Sequence, residues 1–163
     1  MKHTISILVE NHAGVLARVA GLFARRGFNI DSLAVGVTED EKISRITIIA
    51  DGTAYTLEQI EKQLNKLIDV IKVRHLPAEE LLSRELVLIK VACQPSQRAE
   101  LISLAEIVKA KISDITVNTM TLELSDSVPR IKTFEELLRP YGIKETVRTG
   151  SIAMQKGGAS MKL

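Results

Sequence analysis

The 163-residue chain is 45% hydrophobic and 26% charged, with 22 basic against 20 acidic residues and a net charge of +2. Such a balance suits one medium or two small globular domains and gives no strong electrostatic draw towards nucleic acid or an anionic membrane. A single cysteine, Cys93, excludes an intrachain disulfide framework and a cysteine-rich zinc site.

The first strand is read from Ile5, Ile7 and Val9 alternating with Thr4 and Ser6. An amphipathic helix starts near Gly14–Val15. Val15, Val19, Leu22, Leu16, Ala20 and Phe23 share its apolar face, and Arg18, Arg25 and Arg26 lie off it. Gly27 suits the C-terminal cap. A second strand follows from about Asn29 to Thr38, and a third carries Ile46, Ile48 and Ala50. The second helix is expected over Thr56 to Leu67, with Thr56 as N-cap and Leu57, Ile60, Leu64 and Leu67 as its stripe. Val70 to His75 is the fourth strand, and residues 78–83 around acidic Glu79-Glu80 read as a linker.

The second half repeats this order. A strand covers Glu85 to Cys93, with apolar residues on both faces. A helix starts at Pro95-Ser96 with Leu101, Leu104, Ala105 and Val108 as its stripe. A strand pair spans Ile112 to Val117 and Thr119 to Leu124. Pro129 suits the first turn of a short helix bearing Ile131, Phe134 and Leu138, and Ile143 to Thr149 is a last strand. From Gly150 onward no period is visible, so 151–163 reads as a flexible tail.

The fold class is therefore α+β: two tandem ferredoxin-like βαββαβ domains, at 1–77 and 84–150, each an antiparallel four-stranded sheet with both helices on one face. The helix-free face of the first sheet carries Ser6, Leu8, Ala34 and Thr47. A domain this small buries little of its surface alone, so association through sheet edges or faces is expected.

Asn11-His12-Ala13-Gly14, between the first strand and the first helix, is the segment with chemistry. The first N–H groups of a helix lack intrahelical partners and carry partial positive charge, which suits a carboxylate. Gly14 keeps the approach open. The side-chain oxygens of Asn11 and Asn29 offer acceptors to an ammonium, and Val15, Leu16 and Ile30 offer a small apolar wall. These pieces suit a small amino acid held as a ligand. No nucleophile constellation accompanies them, and His3, His12 and His75 show no metal-ligand spacing, so neither catalytic nor metal-binding residues are assigned.

Longer stretches carry a resemblance. Glu10-Asn11-His12-Ala13-Gly14-Val15-Leu16 and Arg26-Gly27-Phe28-Asn29-Ile30-Asp31-Ser32-Leu33 resemble the ACT-domain signature of the small regulatory subunit of acetolactate synthase (acetohydroxyacid synthase). Ser44-Arg45-Ile46-Thr47-Ile48, the run from Gln59 to Leu67, Val70 to Val73 and Arg84-Glu85-Leu86 agree with it. The resemblance implies a non-catalytic chain, homodimeric through side-by-side ACT domains. It implies a catalytic large subunit as partner, which holds thiamine diphosphate, magnesium and FAD. This chain would hold no cofactor. It also implies activation of that subunit and feedback inhibition by valine or a related branched-chain amino acid. Carried over, the effector-binding set is Asn11, His12, Ala13, Gly14, Val15, Leu16, Asn29 and Ile30, with Asn29 and Ile30 offered by the neighbouring protomer. Ala17 stands where some relatives carry Ser.

Other readings follow from the same order of elements. A free-standing ACT sensor would control some other enzyme or regulator. A nucleic-acid-binding ferredoxin-like module would need aromatic residues on its middle strands, and only 3% of this chain is aromatic. A ferredoxin-like phosphatase would need a phosphate-cradling loop after the first strand, and none stands there. No apolar run reaches the roughly 18 residues of a membrane span. Lys2-His3 precede a stretch too short for a secretory signal, so the expected location is cytoplasmic.

Overall fold

The computed structural model describes residues 1–162. The chain divides into two units, Met1–Ser83 together with the segment from Ser151, and Arg84–Gly150.

The first unit contains β1 (Lys2–Glu10), α1 (Val15–Arg25), β2 (Ile30–Val37), β3 (Ile43–Asp51), α2 (Ala54–Leu64) and β4 (Val70–Leu76). Its sheet runs β2-β3-β1-β4, with every pairing antiparallel. The order follows from the alternation. Ile5, Ile7 and Val9 of β1 and Ile46, Ile48 and Ala50 of β3 turn to one face. There they meet Val15, Val19, Leu22 and Phe23 of α1 and Ile60 and Leu64 of α2. Gly27 adopts φ +70° just past α1, the left-handed turn that ends the helix and aims the chain into β2.

The second unit contains β5 (Leu81–Ala92, whose first residues belong to the first unit), a 3₁₀ turn at Pro95–Gln97, α3 (Arg98–Val108), β6 (Lys111–Ile115), β7 (Thr119–Asp126), α4 (Val128–Leu138), a 3₁₀ turn at Arg139–Tyr141 and β8 (Ile143–Arg148). Its order β6-β7-β5-β8 repeats that of the first sheet. Val87, Ile89, Val91, Met120 and Leu122 pack there on Leu101, Ile131 and Phe134. The expected βαββαβ architecture is present in both halves.

Three local expectations change. The N-cap of α2 is Thr53, whose hydroxyl accepts from the Thr56 N–H at 3.2 Å. The stretch expected as a linker is partly strand, because β5 begins at Leu81. The segment expected as a tail without regular structure contains β9 (Ile152–Gln155), which pairs with β5. Ser151 and Ala153 are buried, and β9 packs on β1 and β4. Arg45 donates from Nη2 to the Ala153 carbonyl at 2.8 Å and from Nε to Ser6 Oγ at 2.7 Å. Ser32 Oγ accepts from the Ser151 N–H at 2.8 Å, and Arg74 donates to the Ser160 carbonyl at 3.1 Å. The helix-free face of the first sheet is thus not bare. Ser6, Leu8 and Thr47 on it are buried. Burial and the nearby Arg74 charge lower the pKa of the Arg45 guanidinium.

Candidate functional site

The segment Asn11–Gly14 joins β1 to α1, and its geometry is set by Gly14. That residue is the N-cap of α1 at φ +87°, ψ −13°, a left-handed conformation that glycine adopts without strain. With no side chain at the cap and no acidic residue in the first turn, nothing local meets the leading N–H groups of α1. The Arg18 N–H is the first to bond back, to the Gly14 carbonyl at 3.0 Å. A Cβ placed on Gly14 would meet only the end of the Arg18 side chain, with Nη1 at 3.5 Å. The glycine is therefore required by backbone conformation rather than by crowding.

Asn11 is held by its backbone N–H, which donates to the Lys42 carbonyl at 2.7 Å, and by Nδ2, which donates to the Glu41 carbonyl at 2.7 Å. Its Oδ1 is left to accept. Asn11 and His12 border an open cavity with Glu10, Asp40, Glu41, Lys42, Ile43 and Ile71. Beside it lies a charge network. His12 Nε2 stands 2.9 Å from Asp69 Oδ1 and 3.2 Å from Glu10 Oε2, and Arg18 Nε stands 2.6 Å from Asp69 Oδ2. The Ala13 carbonyl at the His12 ring, helped by the Asp69 and Glu10 carboxylates, raises the His12 pKa above its usual value against the opposing desolvation. The Arg18 hydrogen bond, helped by the charges of Arg18 and His12, holds the Asp69 carboxyl below its usual value. Glu10, His12 and Asp69 bring one potential ligating atom each within 4.8 Å of one another. The guanidinium already on Asp69 makes the group a charge network with its own cation.

The eight residues singled out by sequence are not gathered in one place within the chain. Asn11, His12, Ala13 and Gly14 are exposed and contiguous. Leu16 is exposed, but Val15 is only 3% exposed and belongs to the core, so it offers no wall to a ligand. Asn29 and Ile30 lie past the far end of α1, whose eleven residues span about 16 Å at 1.5 Å each. Asn29 Nδ2 donates there to Asp31 Oδ1 at 2.9 Å, and Ile30 packs against the core. Sequence reading missed Glu41, Asp69 and the orientation of Arg18. The 51-residue separation of Arg18 from Asp69 leaves no local pattern to find.

Comparison with known proteins now bears on these features. A family model described as the AHAS small subunit-like ACT domain matches residues 5–72, and one described as the small subunit of acetolactate synthase matches residues 84–157. A probable acetolactate synthase small subunit of Archaeoglobus fulgidus is 50% identical, over 96% of this chain and 98% of its own. The chain belongs to the acetolactate synthase small-subunit family. Other similar members of the small-subunit family are the Methanothermobacter thermautotrophicus protein, 51% identical over 98% of this chain and 95% of its own, and that of Mycobacterium leprae, 44% identical over 95% and 92%. The crystal structure of the Thermotoga maritima acetolactate synthase small subunit superposes with a TM-score of 0.91 at 38% identity, covering 98% of this chain and 99% of that one. The small-subunit match therefore extends through both units and includes β9. Among the described residues, no helix is long and apolar enough to cross a membrane.

Proposed function

We propose that this small, non-catalytic subunit binds and activates a thiamine-diphosphate-dependent catalytic subunit and makes it sensitive to valine or a related branched-chain amino acid. Thiamine diphosphate, magnesium and FAD belong to that larger partner. The observation that carries the effector reading is the uncapped N-terminus of α1, held open by Gly14 beside the free acceptor of Asn11. A free amino acid needs N–H donors for its carboxylate, an acceptor for its ammonium and a small apolar surface. The first turn of α1, Asn11 Oδ1 and the exposed Leu16 supply these in part.

Asn29 and Ile30 lie too far along α1 to complete that set from the same chain. A second copy, paired along the β2 edge, brings its own Asn29 and Ile30 and makes the pocket a property of the dimer. Effector binding is then linked to dimer geometry. A ligand that favours one geometry shifts the population towards it, and a coupling of about 1–3 kcal/mol suffices for feedback control. Inhibition acts through that shift on the catalytic subunit rather than by obstruction of its active site. Selectivity among valine, leucine and isoleucine is coarse, since one methylene is worth roughly 1–3 kcal/mol.

The test is reconstitution with the catalytic subunit while valine, leucine and isoleucine are titrated in turn. The expected result is stimulated acetolactate synthesis that at least one of the three inhibits. A chain that leaves the rate of the catalytic subunit unchanged would overturn the regulatory reading. Stimulation without inhibition by any of the three would overturn the effector reading alone.

A further inference from the structure

The sequence places Arg18 on the solvated side of α1, but the fold turns its head back over the start of the helix. Arg18 is about half exposed, so its guanidinium remains open to a ligand. Its Nε is fixed to Asp69 Oδ2 at 2.6 Å, and Asp69, only 14% exposed, is itself gripped through Oδ1 by His12 at 2.9 Å. A guanidinium has five N–H donors, and this anchor uses one. Nη1 lies 3.5 Å from the point where a side chain on Gly14 would begin. The space beside Gly14, at the uncapped start of α1, is therefore bordered by a positively charged group whose Nη donors make no hydrogen bond among the described residues.

We propose that Arg18, oriented by Asp69 and His12, is the cationic contact for the α-carboxylate of the effector. The proposal rests on the amino-acid reading above and adds to it the residue that supplies charge. Helix N–H groups alone provide partial charge, screened at an exposed end. A guanidinium adds full charge and a planar fork that matches a carboxylate. The anchor on Asp69 matters because a free arginine would have to give up side-chain freedom on binding, whereas this one is already held. Asp69 and His12 are positioning residues in this arrangement, because they act through Arg18.

The experiment is calorimetric titration of the full chain with valine and with valinamide, which keeps the ammonium and side chain but lacks the carboxylate. The wild-type chain is expected to prefer valine. Arg18→Gln is expected to weaken valine at least tenfold and to shrink the valine-to-valinamide preference by a similar factor. Arg18→Lys, which keeps the charge but not the fork, is expected to fall between them. Asp69→Asn, which frees the guanidinium without removing it, is expected to weaken valine less than Arg18→Gln does. A purely structural arginine would lower the melting temperature and leave the preference between the two ligands intact. That result, or equal valine affinity in the wild type and Arg18→Gln, overturns the assignment while the effector reading stands. A wild-type chain that binds none of valine, leucine and isoleucine overturns both.

Discussion

Substitution of Gly14 by Ala and by Asp separates fold stability from ligand binding, because the two should rank the variants in opposite orders. At φ +87° an L-residue meets the left-handed penalty of about 1–2 kcal/mol. A stiffer unfolded chain returns about 0.4–1 kcal/mol of that. The new Cβ adds nothing further, since its nearest neighbour is the flexible end of Arg18 at an ordinary 3.5 Å. Gly14→Ala should therefore cost about 0–1.6 kcal/mol net, which at 2–4 °C per kcal/mol for a chain of this size is at most roughly 6 °C in melting temperature. Gly14→Asp meets the same backbone penalty, but its carboxylate sits at the positive end of α1 and beside Arg18. The helix-end interaction alone recovers about 0.3–1 kcal/mol, so the Asp variant should melt above the Ala variant. Valine binding should show the reverse. The Ala variant keeps the donors, but its methyl enters the space Gly14 leaves open, so it weakens valine in part, whereas the Asp carboxylate occupies the place of the ligand's own and abolishes binding. Thermal unfolding and calorimetry on the three chains decide it. An Asp variant that melts below the Ala variant refutes the electrostatic argument, and one that still binds valine refutes the location.

Thr53→Ala should destabilise the first unit by about 0.5–2 kcal/mol through loss of the bond to the Thr56 N–H, and Thr53→Ser should restore it; chemical denaturation measures both. Because Asp69 titrates below its unfolded value of 3.8, its contribution to stability is present above that pH and is lost as pH falls through the lower folded value. The difference in urea midpoint between wild type and Asp69→Asn should be present at neutral pH, grow as His12 becomes protonated, and collapse below about 4; a difference independent of pH down to acid unfolding would contradict the ion pairs of Asp69 with Arg18 and His12. The Tyr141 hydroxyl donates to Glu100 Oε1 at 2.5 Å, which, with burial and the carboxylate charge, pushes the phenol up to about 12. Spectrophotometric titration should find that phenolate forming late, and Glu100→Gln should bring it down towards 10.

Much of the fold was legible because its signals are local. The alternation of Ile5, Ile7 and Val9, the helical stripe of Val15, Val19, Leu22 and Phe23, and a Gly27 that needs positive φ each specify an element without reference to the rest of the chain. What escaped reading has physical causes as well. In β9 the usual pattern is inverted: small Ser151 and Ala153 are buried, while Ile152 and Met154 are more than half exposed. The residues that this strand turns inward are small and one is polar, so hydrophobicity points the wrong way. Thr53 and Thr56 are equally good caps by composition, and only the backbone decides between them.

The candidate site divides along the same line. Its backbone component, a strand end followed by glycine and an uncapped helix, is encoded in a handful of adjacent residues and was visible from them. Its charged component is not, because Asp69 reaches Arg18 only through the pairing of β1 with β4, which brings the start of β4 alongside the end of β1. The Glu10 N–H donates to the Asp69 carbonyl at 2.9 Å, so the same backbone bond that closes the sheet carries the carboxylate to the mouth of α1. An intact β1–β4 pairing at that end is then a condition for an oriented Arg18. Changes that loosen it, such as a shift at the irregularity between Leu8 and Val9, should weaken the ligand even though no residue near the helix start has been altered.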